Sequence, residues 1–451
     1  MKRTESQESV SLMEEHSISL ESLMAKLGIS EDKHLPLSSG CSIYRVPPKL
    51  RKENEEAYTP TLISIGPFHG KVQRLQSMHE LKLFYLQKFL RRTQNNLLHD
   101  YVEALRDQEV KIRHCYSETS HMESDEFVNM IIIDSCFIIE FFLSLTGPSE
   151  EDPLVKNPWP TEYIKLDLLL LENQLPFFVL EDIFNLAHPI GFKKINSFVE
   201  LAFKFFKNNF LGDTVPSKSH LSFSNFEQHC LNRPTRAGRR LQVYHLNDML
   251  RMFYLLGQLP GREFDKSVKP ICSTSQLREA GIKFKASKQK NISIMKVEFS
   301  NGVLTIPCFP IHDRTETMIR NVIAFEQCHH PFSSCVTDYM ILWDHLVNTE
   351  KDVEMLVQKG IIQNFLSDNN AVASMINRLC RNVVSTSYNR EYIIVFKKLN
   401  EFYNNPCHKY KANFRHDYLS SPWKIASFVA AILLLFLTLI QTICSVISLF
   451  Q

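Results

Sequence analysis

The stretch LLLLENQLPFFVLEDIF, Leu168 to Phe184, is strongly apolar but has three polar residues and a proline at its centre. The leucines continue a helix, and Pro176 has the fixed φ that suits the first turn of the next one. The triplet Glu172-Asn173-Gln174 then lies at a helix–helix junction, where orphan carbonyls and amides need partners. We therefore predict a capping role for the triplet rather than a catalytic one.

A second apolar stretch, FVNMIIIDSCFIIEFFLSL from Phe127 to Leu145, is about as long as a membrane span. It contains Asp134 near its centre and Glu140 further on. A carboxylate at the centre of a bilayer costs roughly 2.5–3.5 kcal/mol on insertion scales. The stretch is therefore interpreted as a helix buried inside a globular domain.

Side chains typical of helix caps mark three further helix starts. They are Ser77 with Glu80, Ser124, and Ser273 with Gln276, the last followed by Gly281 as a C-terminal stop. One segment, SIMKVEFSNGVLTIP, alternates apolar and polar residues around Asn301-Gly302, which favours a type I′ β-hairpin. Helices resume near Arg314. The fold class is mainly α, with a small β-hairpin insertion and one C-terminal transmembrane helix.

Composition excludes several classes of protein. The chain has 451 residues, a formal charge of only +2 and 13 glycines, which argues against a nucleic-acid partner and a glycine-rich nucleotide site. Its 11 cysteines follow no regular framework and indicate free thiols in a reducing compartment. Residues 1–40 are predicted to be a disordered arm rich in serine and acidic residues, and 41–416 a helical domain.

The C-terminal segment from Ile425 to Phe450 has 26 residues and no charge. As a helix it extends about 39 Å, whereas the hydrocarbon core of a bilayer is about 30 Å thick. Trp423 and Lys424 precede it, as suits the headgroup region. The sequence predicts a juxtamembrane segment over 417–424 and a transmembrane helix over 425–447 that acts as a tail anchor.

Basic residues lie upstream of this segment, and the positive-inside bias therefore places the helical domain in the cytosol. They are Lys409, Lys411, Arg415 and Lys424. The anchor is expected in the plasma membrane or the endoplasmic reticulum. The sequon at Asn291 points the other way, because it is glycosylated only in a lumenal or extracellular domain.

No nucleotide-binding, nucleophile-elbow, zincin or EF-hand motif occurs in the sequence. The best candidate for a metal site is EQCHHPFSSC, with Cys328, His329, His330 and Cys335. Adjacent histidines usually point apart, and the cysteine spacing matches no common zinc finger. Surface histidines after a helix end are the preferred interpretation, and no catalytic, cofactor-binding or metal residue is assigned.

Four carboxylates in apolar surroundings are the other candidates for chemistry. Asp134, Glu140 and Asp167 lie in very apolar segments, and Glu326 falls on an apolar helical face. Desolvated acids can serve as general acids or bases, but they are more often paired with arginines or with the amino ends of helices. We expect structural pairing here, and the available arginines are Arg45, Arg51, Arg278 and Arg320.

Seven segments, taken in order, resemble the plant family called domain of unknown function 247, also designated uncharacterised protein family 0481. They are YRVPPKLRKENEEAYTPTLISIGPFHG (44–70), MHELKLFYLQKFLRR (78–92), IIIDSCFIIEFF (131–142), DLLLLENQLPFFVLE (167–181), SQLREAGIKFK (275–285), RNVIAFEQC (320–328) and SSPWKIASFVAAILLLFLTLIQT (420–442). The resemblance covers roughly residues 41–450. It implies a mainly helical domain with a C-terminal transmembrane helix, and it transfers no catalytic residue.

The hypothesis that follows is a membrane-anchored interaction, recognition or signalling protein with an unknown protein partner. Some grass members of the family are linked to self-incompatibility, so the resemblance implies a recognition role by analogy. One alternative is a membrane-tethered enzyme that uses buried carboxylates such as Asp134 or Glu326. Another is a scaffold that forms a homo-oligomer through its tail helix, where Gln441, Thr442 and Ser445 are polar.

Overall fold

A computed structural model describes residues 40–93, 98–118, 120–147, 152–191, 195–210, 222–228, 242–256, 262–263, 269–287, 294–385, 388–406 and 422–448. Three predictions fall wholly or partly elsewhere: the arm over 1–40, the sequon at Asn291 and most of the juxtamembrane segment. They lie outside the described residues, apart from Gly40 and the short stretch 422–424.

The described chain is mainly helical, as predicted. The helices are α1 (Pro48–Arg51), α2 (His79–Arg92), α3 (Leu98–His114), α4 (Ser124–Thr146), α5 (Pro153–Lys156), α6 (Pro158–Asp167), α7 (Phe177–Gly191), α8 (Phe198–Asn209), α9 (Phe223–Phe226), α10 (Leu246–Tyr254), α11 (Thr274–Glu279), α12 (Asp313–His329), α13 (Cys335–Leu346), α14 (Glu350–Gln358), α15 (Asn369–Leu379), α16 (Arg390–Asn404) and α17 (Pro422–Ser448). Two 3-10 helices cover Glu56–Tyr58 and Gln73–Met78.

The strands are short. They are β1 (Arg262–Glu263), β2 (Lys283–Ala286), β3 (Glu298–Ser300), β4 (Val303–Ile306), β5 (Phe309–Ile311), β6 (Ile362–Asn364) and β7 (Tyr388–Asn389). Strands β1 and β7 pair antiparallel, and β5 and β6 pair parallel.

The predicted hairpin is confirmed. Strands β3 and β4 pair antiparallel around Asn301 and Gly302, whose φ values are +51° and +71° as a type I′ turn requires. The sequence did not predict that β2 would add to β4 in parallel, with Phe284 opposite Leu304. That third strand comes from a segment about 20 residues earlier, so no local pattern announces it.

Helix α4 forms the centre of the N-terminal half, because α2, α3, α7 and α8 all pack against it. Phenylalanine rings fill these contacts, and the rings of Phe142 and Phe205 stack with centroids 3.8 Å apart. The cluster of buried apolar side chains runs from Ile43 to Leu399, so both halves of the helical region share it. The interpretation of residues 127–145 as a buried helix is confirmed.

Two helices in the described part of the chain are long and apolar enough to cross a bilayer, and the fold treats them differently. Within α4, 72% of the most apolar window is buried against neighbouring helices. In α17 none of that window is buried, and Leu435 and Phe436 are 71% and 61% exposed. Length and composition therefore leave α17 as the candidate membrane span.

The three predicted caps fare differently. Ser273 and Gln276 form the expected capping box on α11, and Gly281 follows the helix with a φ of +93°. Ser77 caps nothing, because a 3-10 helix already leads into α2 and its hydroxyl donates to a carbonyl of that turn. Ser124 is the first helical residue of α4 rather than its cap, and its hydroxyl donates to Glu109.

Candidate functional site

The extended segment from Thr61 to Gly66 has its backbone paired with buried side chains instead of a neighbouring strand. Asp167, at the end of α6, accepts hydrogen bonds from three successive N–H groups, of Thr61, Leu62 and Ile63, at 2.7, 2.7 and 2.9 Å. Burial raises the pKa of Asp167 to about 6, although these three donors oppose the rise. Asp167 thus acts as a substitute for a strand partner.

Asn173 continues this pairing from the junction between α6 and α7. Its side-chain oxygen accepts the N–H of Ile65 at 2.6 Å, and its amide donates to the carbonyls of Ile63 and Asp167 at 3.0 and 2.9 Å. Both ends of this fully buried amide are therefore satisfied. Asn173 joins α6 to the extended segment.

Gln174 performs the predicted capping role. Its amide donates to the carbonyls of Leu168 and Leu170 at 2.7 and 2.8 Å, just beyond the end of α6, where the Leu170 carbonyl also accepts the N–H of Asn173. Its oxygen accepts the N–H of Asn247 in α10 at 3.3 Å. The prediction of a cap is right for Gln174 and incomplete for its two neighbours, which bind a segment more than 100 residues earlier.

Glu172 is the centre of a buried charge cluster. Its carboxylate accepts the N–H of Val46 at 2.7 Å and lies 2.9 and 2.5 Å from the guanidinium groups of Arg45 and Arg51. His69 Nε2 is 3.4 Å away. Burial would raise the pKa of Glu172, but these contacts outweigh it and lower the pKa to about 2. Glu172 is therefore a permanent anion that fixes the N-terminal segment.

Asp134, in the middle of α4, is 1% exposed. One oxygen lies 2.6 Å from the ammonium of Lys82, and the other accepts the N–H of Gly66 at 2.8 Å. Lys82 also donates to the carbonyl of Ser64. Burial raises the pKa of Asp134, and the charge of Lys82 opposes the rise. Asp134 thus holds the end of the same extended segment.

The two remaining acids are also engaged. Arg92 forms a two-pronged pair with Glu140, with nitrogen–oxygen distances of 3.0 and 2.7 Å. Glu326 accepts Arg251 Nε at 3.0 Å and the N–H groups of Val336 and Thr337 at 3.2 and 2.8 Å. Because those N–H groups open α13, Glu326 caps that helix.

Structural pairing is observed for all four acids, and the arginines on Glu140 and Glu326 and the helix start at Glu326 are partners of the expected kinds. In the described contacts, however, none of the four arginines named from the sequence reaches these acids. Arg45 and Arg51 pair with Glu172, and Arg320 pairs with Glu316 on its own helix. The cations that reach the four acids are Lys82, Lys88, Arg92 and Arg251, whereas Asp167 is held by backbone donors. Helix packing decides these pairs, and the order of residues in the chain does not reveal it.

The Cys–His segment forms an aromatic cluster. His329 Nδ1 and the hydroxyl of Tyr44 share a hydrogen bond of 2.9 Å. The ring centroids of His329 and His330 are 4.6 Å apart. Both histidines are half-buried, so their interpretation as surface residues is wrong. Burial raises the pKa of the Cys328 and Cys335 thiols to about 12. Among the described residues no group of three or more metal-ligating side chains has a suitable arrangement.

His245 is a structural residue that sequence reasoning missed. It is fully buried at the start of α10, where Nδ1 accepts the N–H of Asp248 at 3.1 Å and Nε2 lies 3.0 Å from the carbonyl of Ser42. These two contacts define a neutral ring with the proton on Nε2. Burial and the neighbouring His329 lower the pKa of His245 to about 3. The only local signal is Asp248 three residues later, which resembles a capping box.

An open cleft of about 790 Å³ lies between the segment 64–82 and one face of α4. Its floor includes the Lys82–Asp134 ion pair, and its walls include Phe68, Met122 and Met130. The exposed rim carries charged and imidazole side chains from both sides, namely Lys71, His79, Glu80, His121 and Glu126. Of the four acids proposed from the sequence, only Asp134 reaches this cleft.

The sequence model of one plant family, DUF247, described as a plant protein of unknown function, matches residues 43–437. The chain belongs to this family. This DUF247 protein is 32% identical over 441 residues to UPF0481 protein At3g47200 of Arabidopsis thaliana, across 90% of the chain and 87% of that relative. It is 24% identical over 483 residues to Putative UPF0481 protein At3g02645 of the same plant, across 91% of each chain. No solved structure matches the DUF247 protein.

The region that matches the family model contains the structural features described above. The match begins at Ile43, beside the Glu172 charge cluster, and ends at residue 437 within α17. The buried junction, the cleft and most of the apolar C-terminal helix therefore all lie inside the family region. The description of the family assigns no activity.

Proposed function

We propose that this protein is anchored in a membrane by α17 and that its helical domain serves as a recognition module for another protein. The observation that carries the anchor is α17 itself. This helix of 27 residues has apolar side chains exposed along its length, whereas the other long apolar helix, α4, is packed inside the fold. A bilayer is the environment that removes such a surface from water.

The flanking residues support an interfacial position for the start of α17. Trp423 is 84% exposed next to Lys424, and both side chains favour the headgroup region. The hydroxyls of Thr438 and Thr442 bond to carbonyls one turn earlier in the same helix, so neither needs a partner helix. This favours a single anchoring helix over the alternative of a scaffold assembled through the tail.

The orientation follows from the basic residues upstream of α17, which place the helical domain in the cytosol. The plasma membrane and the endoplasmic reticulum both satisfy this topology. Protease protection in cells expressing an N-terminally tagged protein tests it, with the plasma membrane selectively opened. Digestion of the helical domain supports the proposal, and protection of that domain together with a glycan on Asn291 contradicts it.

Extraction of membranes at alkaline pH tests the anchor itself. We expect the wild-type protein to remain in the membrane pellet and the double variant Leu435→Arg/Leu439→Arg to appear in the supernatant. Each central arginine costs roughly 2.5–3.5 kcal/mol on insertion scales. The control Leu186→Arg, at a 38% exposed position of α7, keeps the protein in the pellet. Release of the wild-type protein by carbonate would refute the anchor.

A recognition role is favoured over catalysis because the buried acids are already engaged in holding the fold. Glu140, Asp167, Glu172 and Glu326 are buried and bound to cations or backbone donors, so each is committed to holding the fold. Proximity labelling from the helical domain is the test, compared with a protein that carries α17 alone. Partners that depend on the domain are expected. If the protein acts in pollen, the family resemblance implies that the recognition it performs is that of self-incompatibility.

The alternative of a membrane-tethered enzyme has one observation in its favour. Asp134 and two imidazoles, those of His79 and His121, line the same cleft, which solvent can enter. Against it, both oxygens of Asp134 already accept hydrogen bonds from Lys82 and Gly66. Turnover abolished by Asp134→Asn in a protein that keeps its thermal stability would favour the enzyme.

A further inference from the structure

The cleft next to α4 has the dimensions and lining of a small-molecule site. Its volume of about 790 Å³ falls within the roughly 300–1,000 Å³ of ordinary ligand pockets. Apolar side chains form the walls, and two charged groups that are more than nine-tenths buried converge at the floor. A buried ion pair facing an open cavity is uncommon, because desolvation of the two charges is costly.

The floor has unused hydrogen-bonding capacity. Lys82 has three donors, of which the described contacts use two, to Ser64 and to Asp134. Each oxygen of Asp134 accepts one hydrogen bond and has a further lone pair. A ligand group with an adjacent acceptor and donor would use this capacity, by accepting a hydrogen bond from the Lys82 ammonium and donating one to the Asp134 carboxylate.

Charge selects among ligands with that geometry. Lys82 and Asp134 neutralise each other, so the floor offers no net attraction to a lone anion or a lone cation, and either one would also face the like charge of the pair. Apart from the ion pair, Glu80, Glu118 and Glu126 line the cleft against Arg45 and Lys71, and this excess of acids disfavours an anion further. A neutral group with an adjacent donor and acceptor fits best, and primary amides and lactams have that pattern.

We propose that this cleft binds a small neutral molecule that presents a primary amide or lactam to Lys82 and Asp134 and an apolar body to Phe68, Met122 and Met130. The aromatic face of Phe68 is backed by the guanidinium of Arg45, 4.2 Å from the ring centroid, which holds that wall in place. The two methionines can adapt their shape to the apolar body. This site is independent of the membrane anchor.

Three probes of matched shape test the proposal: para-fluorobenzamide, para-fluorobenzoate and para-fluorobenzylamine. Fluorine NMR titrations use the full-length protein in lipid nanodiscs. We expect saturable binding of the amide, with the acid and the amine at least roughly tenfold weaker, the effect of one hydrogen bond to a charged group. Tighter binding of either charged probe overturns the ligand class.

A cleft-filling variant shows where the probe binds. Met130→Trp adds bulk at a half-buried position of the cleft, one turn before Asp134 on α4, while keeping both residues of the ion pair, and is expected to abolish saturable amide binding. Val110→Trp, at a 68% exposed position on α3, is the matched control and should bind like wild type. Equal binding by wild type and Met130→Trp, or no saturable binding by wild type, overturns the proposal.

Asp134→Asn provides a readout that a purely structural role would not move. The substitution leaves Lys82 as an unneutralised ammonium at the floor, so the preference should shift from the amide towards the benzoate by roughly tenfold. An unchanged order of the three probes in a folded Asp134→Asn protein overturns the assignment of the floor. A variant that fails to fold leaves Met130→Trp as the deciding comparison.

Discussion

Replacing Glu172 with glutamine removes the one negative charge that Arg45 and Arg51 share inside the protein. The carboxylate is 2% exposed and accepts the backbone N–H of Val46 in addition to the two guanidinium groups. A glutamine has the same shape but turns an N–H₂ group towards cations, so at least one contact becomes repulsive. We expect Glu172→Gln to loosen the attachment of residues 45–51 to the junction.

The size of the effect follows from the pKa of Glu172. Its value of about 2 in the folded protein, against 4.5 for an ordinary glutamate, corresponds to about 3 kcal/mol of stability at neutral pH. Because the pKa is lowered on folding, this stability is complete above pH 4.5 and is lost as the pH falls towards 2. The estimate agrees with the roughly 3–5 kcal/mol typical for breaking a buried ion pair.

Urea unfolding of the full-length protein in detergent micelles, followed by far-UV circular dichroism, measures the change. At pH 7 we expect Glu172→Gln to lower the free energy of unfolding by about 3 kcal/mol, and the difference to disappear only as the pH falls to about 2 and below. The matched control is Glu118→Gln, which removes the 58% exposed partner of the same Arg45 and should cost less than about 1 kcal/mol. Equal effects of the two substitutions at pH 7 would refute this account of the junction.

Three further outcomes follow from the structure. Gly66→Ala should destabilise the protein more than Gly360→Ala in thermal unfolding. Both glycines have a positive φ, which costs an alanine about 1–2 kcal/mol. Only at Gly66 would the new Cβ also clash, since it would lie 2.7 Å from the backbone oxygen of Gln174. Equal losses would contradict the clash. His245→Asn should make stability less dependent on pH. The pKa of His245 is about 3 in the folded protein and 6.5 in the unfolded chain, so wild type loses stability as the pH falls below 6.5. Between pH 7 and 5 the free energy of unfolding of the variant should therefore rise by about 2 kcal/mol relative to wild type in paired urea titrations. An equal pH dependence of the two proteins would contradict this. Phe142→Ala should cost about 3–5 kcal/mol in the same assay, because it empties the stack with Phe205, and a loss under 1 kcal/mol would contradict its place in the core.

Local sequence patterns predicted the elements whose cause is local. The alternation around Asn301-Gly302 specified the hairpin because that turn needs two residues that tolerate positive φ. The box of Ser273 and Gln276 specified a helix start because both hydrogen bonds close within four residues. Ser77 and Ser124 are also serines but cap nothing: Ser77 lies inside a 3-10 helix that runs into α2, and Ser124 is already the first residue of α4, with its hydroxyl donating to Glu109.

The sequence by itself determined the helical class of this protein, the hairpin, the uncharged C-terminal helix and the burial of α4, which the cost of a carboxylate in lipid made necessary. Only the tertiary structure decided what the buried polar residues do. Asp167, Asn173 and Asp134 bond a segment that lies 68 to 110 residues away in the chain, and Glu172 binds arginines more than 100 residues earlier. Hydrogen bonds depend on distance and direction in space, so no spacing along the chain encodes these pairs. The cleft has the same origin, since its floor and walls meet only when α4 packs against residues 64–82.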